Sequence, residues 1–315
     1  MVRALVAAAF GGPEVLEIID VPGTEPGPGQ VTIAVRASGV NPIDAKIAAG
    51  TRGGDASKLP IRLGYEASGV VTAVGDEPVG ADGRTIRVGD DVLAFRITGA
   101  HASEVTVPAK HVLAKPAELG FPEAAGLLLV GTTAVHALET VHAAAGETIL
   151  VHGGGGSVGR AVSQLAALRG ARVIATASPR RHESLRALGA EPIAYGDGLE
   201  GRVRALAERV DAAIDCIGTE EAADVSFALV AEPERVVTIV DGPRFQSSGG
   251  RYIGGGPGAD PGTELRDAAR PELVRLAAAG ELSIPVVRAY PLERAREAFE
   301  FLAEGHAGGK IVLEP

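Results

Sequence analysis

Residues 153–156 are four consecutive glycines placed directly after the apolar run TILVH, and Gly159 stands three positions further on. The spacing Gly154-x-Gly156-x-x-Gly159 is that of a dinucleotide fingerprint. Gly154 would make the tight turn, Gly156 would let a pyrophosphate approach, and Gly159 would let the helix pack on its strand. Ser157 and Val158 open that helix, whose free N–H groups and positive dipole end favour a diphosphate. A flexible glycine loop is the bland alternative, but the flanking strand, the helix and a second strand, ARVIATA, fall at the spacing the motif requires. Sites that prefer NAD place an acid about 20 residues past the glycines. Here that region is TASPRR. Ser178 can give a hydrogen bond, and Arg180 and Arg181 can give charge-assisted bonds to a 2′-phosphate, so the expected cofactor is NADPH. The alternative is that both arginines are solvated surface charges. Tyr195 is expected over the same phosphate, and Cys216 and Gly218 among the cofactor residues.

A second chemistry-bearing stretch is SGVNPIDAKIAAG, residues 38–50. Asn41 followed by Pro42 has the form of a helix N-cap with proline at the first helical position, Asp44 in the first turn and Gly50 as terminator. Capping accounts for each of these but not for Lys46. An amide and an ammonium are donors suited to negative charge developing on a substrate oxygen.

The elements that must position these groups follow from the chain as a whole. Its 315 residues, 46% of them apolar, suffice for about two domains. Residues 1 to about 117 hold short β-branched runs separated by Gly, Pro and Asp, as in a mostly β domain. From 118 to 253 strand-like and helix-like runs alternate, which implies βαβ units and a parallel sheet. From 254 a glycine-rich loop leads into helix, strand, helix and a last strand. A formal charge of −10 disfavours nucleic acid and anionic membrane as partners. Cys216 is the single cysteine, which excludes an internal disulfide and a multi-thiolate metal site. The seven histidines, at 101, 111, 136, 142, 152, 182 and 306, lack ligand spacing and are expected in the core or on the surface. The start, MVRALVAAAFGGPE, breaks at Gly11 and does not have the form of a signal peptide, and no run approaches the ~18 apolar residues of a membrane span. A cytoplasmic protein is expected.

FGGPEVLEI, GVNPIDAKIAAG, GYEASGVVTAVG, EAAGLLLVGTTAVHAL and GGKIVLEP together resemble the zinc-free quinone oxidoreductase, or zeta-crystallin-like, branch of the medium-chain dehydrogenase/reductases, over nearly the whole chain. The resemblance implies an α/β protein with a discontinuous GroES-like catalytic domain, 1–117 and 254–315, around a Rossmann doubly wound cofactor domain, 118–253. It implies a cleft active site and a homodimer. It places Asn41 near the nicotinamide and the substrate oxygen, and Thr133 and Lys310 against the cofactor. Relatives carry tyrosine or lysine two positions after the aspartate, and this chain has Lys46, so the resemblance implies the Asn41 amide and the Lys46 ammonium as catalytic donors to the substrate oxygen, with Asp44 orienting the turn. Zinc-dependent cousins need Cys, His and Glu ligands. Gly64-Tyr65-Glu66 stands where they have Gly-His-Glu, so no metal is expected. Alcohol oxidation would want a Lewis acid or a strong base at the hydroxyl. The expected activity is instead NADPH-dependent hydride transfer to a quinone or an α,β-unsaturated carbonyl, with Tyr65, Phe245 and Tyr252 walling the substrate pocket. The alternatives are a biosynthetic enoyl or ketone reductase of narrow specificity, and a non-enzymatic RNA-binding or structural protein, against which the acidic charge argues.

Overall fold

A computed structural model describes residues 1–305 and 308–315; His306 lies outside the described residues. In chain order the strands are β1 (Val2–Ala7), β2 (Leu16–Val21), β3 (Gln30–Val40), β4 (Ile61–Arg62), β5 (Glu66–Val74), β6 (Asp91–Phe95), β7 (Glu104–Pro108) and β8 (Val112–Ala114). They continue with β9 (Thr148–His152), β10 (Arg172–Thr176), β11 (Ala190–Ile193), β12 (Ala212–Asp215), β13 (Val236–Thr238), β14 (Arg251–Tyr252), β15 (Val286–Pro291) and β16 (Lys310–Glu314). The chain divides into two compact units, one of residues 1–129, 271–280 and 284–315, the other of 130–270 and 281–283.

The first unit is mostly β. A seven-stranded sheet runs β15-β16-β3-β5-β6-β8, with β7 also pairing β3, beside a three-stranded sheet β2-β1-β4. On β3 the two-residue period points Val31, Ile33 and Val35 to one side, where they pack with Val71, Val92, Val105 and Val112 in a single core. β16 joins β3 antiparallel, with Ile311 opposite Val40 and Val312 opposite Gly39. That register sets Lys310 beside the start of α1 (Pro42–Ala48).

The second unit holds six parallel strands in the order β11-β10-β9-β12-β13-β14, the expected doubly wound sheet. Its strands are buried on both faces; in β9, residues 149–152 are all buried, which is why the run is continuously apolar until His152. The strand order reverses at β9, so the ends of β9, β10 and β12 form the crevice where such sheets bind ligands.

The boundaries fall later than the expected 117/118 and 253/254. α2 (Phe121–Ala125) is held to the first unit by the Ser68 hydroxyl, which donates to the Phe121 carbonyl. Residues 254–270 stay with the second unit because Asp260 and Arg266 both engage the ring of His136 on α3 (Leu128–Thr140). Burial, then the Arg266 charge, lowers the pKa of that histidine against the opposing pull of Asp260. Among the described residues no helix is long and apolar enough to cross a membrane.

Candidate active site

In the second unit, β9 turns through the glycines into α4 (Ser157–Leu168). The positive φ of +73° falls on Gly153 rather than on Gly154, the expected turn residue. Gly153 and Gly154 donate their N–H groups to the Thr176 hydroxyl and carbonyl at the end of β10, at 3.1 and 2.9 Å. A Cβ on Gly154 would stand 2.8 Å from that of Ala175, so Gly154 is a packing glycine. Gly159 packs on the Gly153 carbonyl and Gly154 Cα, as helix-to-strand contact requires. Gly156 is the N-cap of α4 and provides no side-chain cap, which leaves Ser157, Val158 and Gly159 at the uncapped first turn. A Cβ on Gly156 would meet nothing closer than the Gly153 carbonyl at 3.4 Å. An open face over unbonded helix N–H groups fits the diphosphate of a dinucleotide.

The residues after β10 lie against this loop. Ser178 opens a 3-10 turn, Pro179–Arg181, in which Arg180 is exposed and Arg181 half-buried. The Arg181 stem passes the glycines, its Cγ 3.4 Å from where a Cβ on Gly155 would be. Arg181 thus lies against the glycine loop. After β12, Asp215 is wholly buried and accepts bonds from the N–H groups of Ile217 and Gly218, both 3.0 Å, and from the Thr238 hydroxyl at 2.6 Å. Burial raises its pKa, and these three donors oppose the rise. The acid shapes the Cys216–Gly218 turn, and sequence reasoning missed it. Burial also pushes the Cys216 thiol up, which keeps it protonated. Thr133 is buried on α3, and Tyr195 stands open at 57% exposure. Phe245 does not wall a pocket: it is fully buried, packed on Phe227 in the core of this unit. Tyr252 lies across Gly242 and Gly256, which have no side chain to obstruct its ring.

In the first unit, Asn41 is the N-cap of α1, in a capping box with Asp44 at N3, and its side chain also has partners outside the helix. The amide nitrogen donates to the Gly39 carbonyl at 2.9 Å and to Glu66 Oε1 at 3.1 Å, and the amide oxygen accepts from the Lys310 ammonium. Lys310 also donates to Glu66 Oε1 at 2.6 Å, while Glu66 Oε2 accepts from Leu129 N–H at 2.9 Å. Asn41, Glu66 and Lys310 are each at most 3% exposed. A Cβ on Gly39 would stand 2.5 Å from Glu66 Oε1 and 2.6 Å from the Ala125 carbonyl, and one on Gly126 would stand 2.7 Å from the lysine Cγ, so the absence of side chains there makes room for the cluster. Asp44 caps in reverse, accepting from Asn41 N–H at 2.9 Å and from Gly64 N–H at 3.2 Å. Behind it, His101 Nε2 is 3.6 Å from Asp44 Oδ2, and its Nδ1 is 2.8 Å from the Ser38 hydroxyl.

Lys46 is not brought to this cluster. It is exposed, on the opposite side of α1 from the buried Asp44 and Ala48. Five residues at 100° each set it about 140° round from Asn41. The cation beside Asn41 is Lys310, expected among the cofactor contacts, and its partner is Glu66, the acid of Gly64-Tyr65-Glu66. Tyr65 is half-buried, edge-on to Phe95 at 6.1 Å. A zinc site does not fit: the carboxylate of the Gly-Tyr-Glu position is engaged by Lys310 and Asn41, and among the described residues no three His, Cys, Asp or Glu side chains cluster to hold a metal.

Two family models match the chain, an alcohol dehydrogenase GroES-like domain over residues 27–117 and a zinc-binding dehydrogenase over 188–313. The chain is 33% identical to the phthioceranic/hydroxyphthioceranic acid synthase of Mycobacterium tuberculosis over 96% of its own length, but spans only 15% of that protein. It is 31% identical to the chloroplastic NADPH-dependent alkenal/one oxidoreductase of Arabidopsis thaliana, covering 99% of this chain and 79% of the relative. The Escherichia coli quinone oxidoreductase, solved in complex with NADPH, superposes with a TM-score of 0.85 at 26% identity over 99% of this chain and 100% of that one.

Proposed function

Because the chain belongs to the medium-chain dehydrogenase/reductase family, with a donor set consistent with its zinc-free branch, we propose that it is an NADPH-dependent reductase of quinones or α,β-unsaturated carbonyls. NADPH, when bound, supplies the hydride. The first turn of α4 would hold its diphosphate, and Arg181, with Ser178 and Arg180, its 2′-phosphate. Hydride addition to a quinone, or to the β-carbon of an enone, leaves negative charge on the substrate oxygen, which a positioned donor must stabilise. The observation that carries the reading is Lys310. Its ammonium has three N–H groups, of which Asn41 and Glu66 engage two, leaving one to donate. Burial strengthens the hydrogen bond that the remaining N–H can give. Asn41, whose amide protons are both engaged, acts by positioning Lys310, and Asp44 by holding the turn. Water then delivers the proton that completes the reduction.

The match to a synthase favours one second reading, an enoyl reductase of biosynthesis, in which the same residues would serve a different acceptor. A homodimer in the cytoplasm belongs to the same proposal, and light scattering tests the dimer. The deciding experiment follows NADPH consumption with quinones, enals, enones, an enoyl thioester and simple ketones, with and without a chelator. Turnover of quinones or enones that survives chelation supports the first reading. Turnover of the thioester alone moves the assignment to the second, and activity lost to the chelator overturns both.

A further inference from the structure

Arg160 is the single charged residue of α4, and neither the fingerprint nor the capping of that helix calls for it. Only 9% of its surface is exposed. Its Nη1 donates to the Ser184 hydroxyl at 3.0 Å, and that hydroxyl donates to the backbone carbonyl of Arg181 at 2.8 Å. A hydroxyl has one proton, so with that proton committed to Arg181 it can only accept from Arg160. One chain of bonds thus runs from α4, through α5 (His182–Arg186), to the backbone that carries Arg181 past Gly155.

The arrangement is costly without a ligand. Arg160 Nε is buried with no hydrogen-bond partner, and no carboxylate pairs with this guanidinium among the described residues. Burial first, and then the charge of Arg181, push its pKa below the usual arginine value. A buried cation beside a second cation is destabilising unless something anionic joins them. A dianionic phosphate would.

Resting on the cofactor site proposed above, we propose that Arg160 is a specificity-determining residue for NADPH: through Ser184 it fixes the segment bearing Arg181, and its unneutralised charge adds to the hold on the 2′-phosphate.

The test is calorimetric binding of adenosine 2′,5′-bisphosphate and of 5′-ADP to the full chain, with the melting temperature of the ligand-free protein as a second readout. Wild type should prefer the bisphosphate. Arg160→Met should weaken the bisphosphate about tenfold or more, as loss of a charge-assisted interaction implies, and 5′-ADP less than twofold. Its ligand-free melting temperature should not fall, because relief of the like-charge contact offsets the lost hydrogen bond. Arg160→Lys should recover part of the discrimination. Ser184→Ala should lose about threefold on the bisphosphate alone, since it removes both links between Arg160 and the Arg181 backbone but keeps the Arg160 charge. If wild type binds both ligands alike, the cofactor reading falls and this proposal with it. If wild type discriminates and Arg160→Met keeps the full ratio, or loses both ligands equally, the proposal alone is overturned. Should Arg160→Met fail to fold, Ser184→Ala with an unchanged ratio overturns it.

Discussion

The amide oxygen of Asn41 accepts a hydrogen bond from the ammonium of Lys310, a residue 269 positions away, and both side chains reach the same oxygen of Glu66. A carboxylate, an ammonium and an amide are thereby buried as one unit, and each is bonded to the other two.

Removing one member should therefore cost more than removing two. Lys310→Met leaves the Glu66 charge buried and uncompensated, an expected loss of about 3–5 kcal/mol in urea unfolding. Adding Glu66→Gln should restore a large part of it. Strictly additive losses in the double variant would show that the pair does not act as one.

Asn41→Ser separates capping from the network. Serine caps a helix as well as asparagine does, but it cannot reach Lys310 and Glu66 together. The variant should lose about 1–3 kcal/mol of stability, the cost of leaving buried polar groups without partners, and kcat on an enone should fall as Lys310 is released. Lys46→Met, on the exposed side of α1, should change stability by less than about 0.5 kcal/mol and leave kcat as it was. A Lys46 variant with impaired kcat would return the electrostatic role to that residue.

Arg181→Ala should raise the KM for NADPH by an amount worth about 1.5–3 kcal/mol, the range for a hydrogen bond to a charged group. The KM for NADH, which carries no 2′-phosphate, should hardly move. Steady-state kinetics with both cofactors decides the matter, and equal weakening of the two would contradict the assignment.

Acid stability should carry the mark of His152. Burial holds its pKa down to about 4, from an ordinary 6.5, and its Nε2 has no partner. Above 6.5 the residue is neutral whether the chain is folded or not. As pH falls from 6.5 to about 4, the unfolded chain takes up a proton that the folded chain refuses, so up to roughly 3 kcal/mol of stability is lost across that window. His152→Leu should flatten this part of the profile. Unfolding curves with the same pH slope in wild type and variant would rule out His152 as its source.

What could be read ahead of the structure was local. The strand-glycine-helix passage and the arginines after β10 each sit within a few dozen residues, where spacing alone carries the geometry. Even there, four adjacent glycines do not reveal that Gly153 takes the positive φ while Gly154 packs on Ala175. Lys46 could have been set aside from helical periodicity, since five residues past the cap is the far side of the helix. Lys310 could not have been placed beside Asn41, because that depends on the register of β16 on β3, which no local pattern encodes. Phe245 misled for another reason. Its helix, residues 242–247, is too short for an apolar period to distinguish a core ring from a pocket ring.

The order in which the chain is made bears on when the cluster of Asn41, Glu66 and Lys310 can form. One edge of β3 belongs to β5, while the other is shared, β7 taking residues 30–34 and β16 taking 38–40. β5 and β7 leave the ribosome soon after β3, but the seat beside residues 38–40 stays vacant until residues 310–314 have been synthesised. Closing so long a loop adds little to the free-energy cost, because closure entropy grows only logarithmically with length. Its effect is on timing. Until β16 docks, a nascent chain with a complete cofactor unit still has an unpaired strand edge, open to association with other chains, and Glu66 without its counter-charge. The segment that seals that edge is the one that delivers the ammonium, so exposure to misassembly and the uncompensated charge of Glu66 end in the same event.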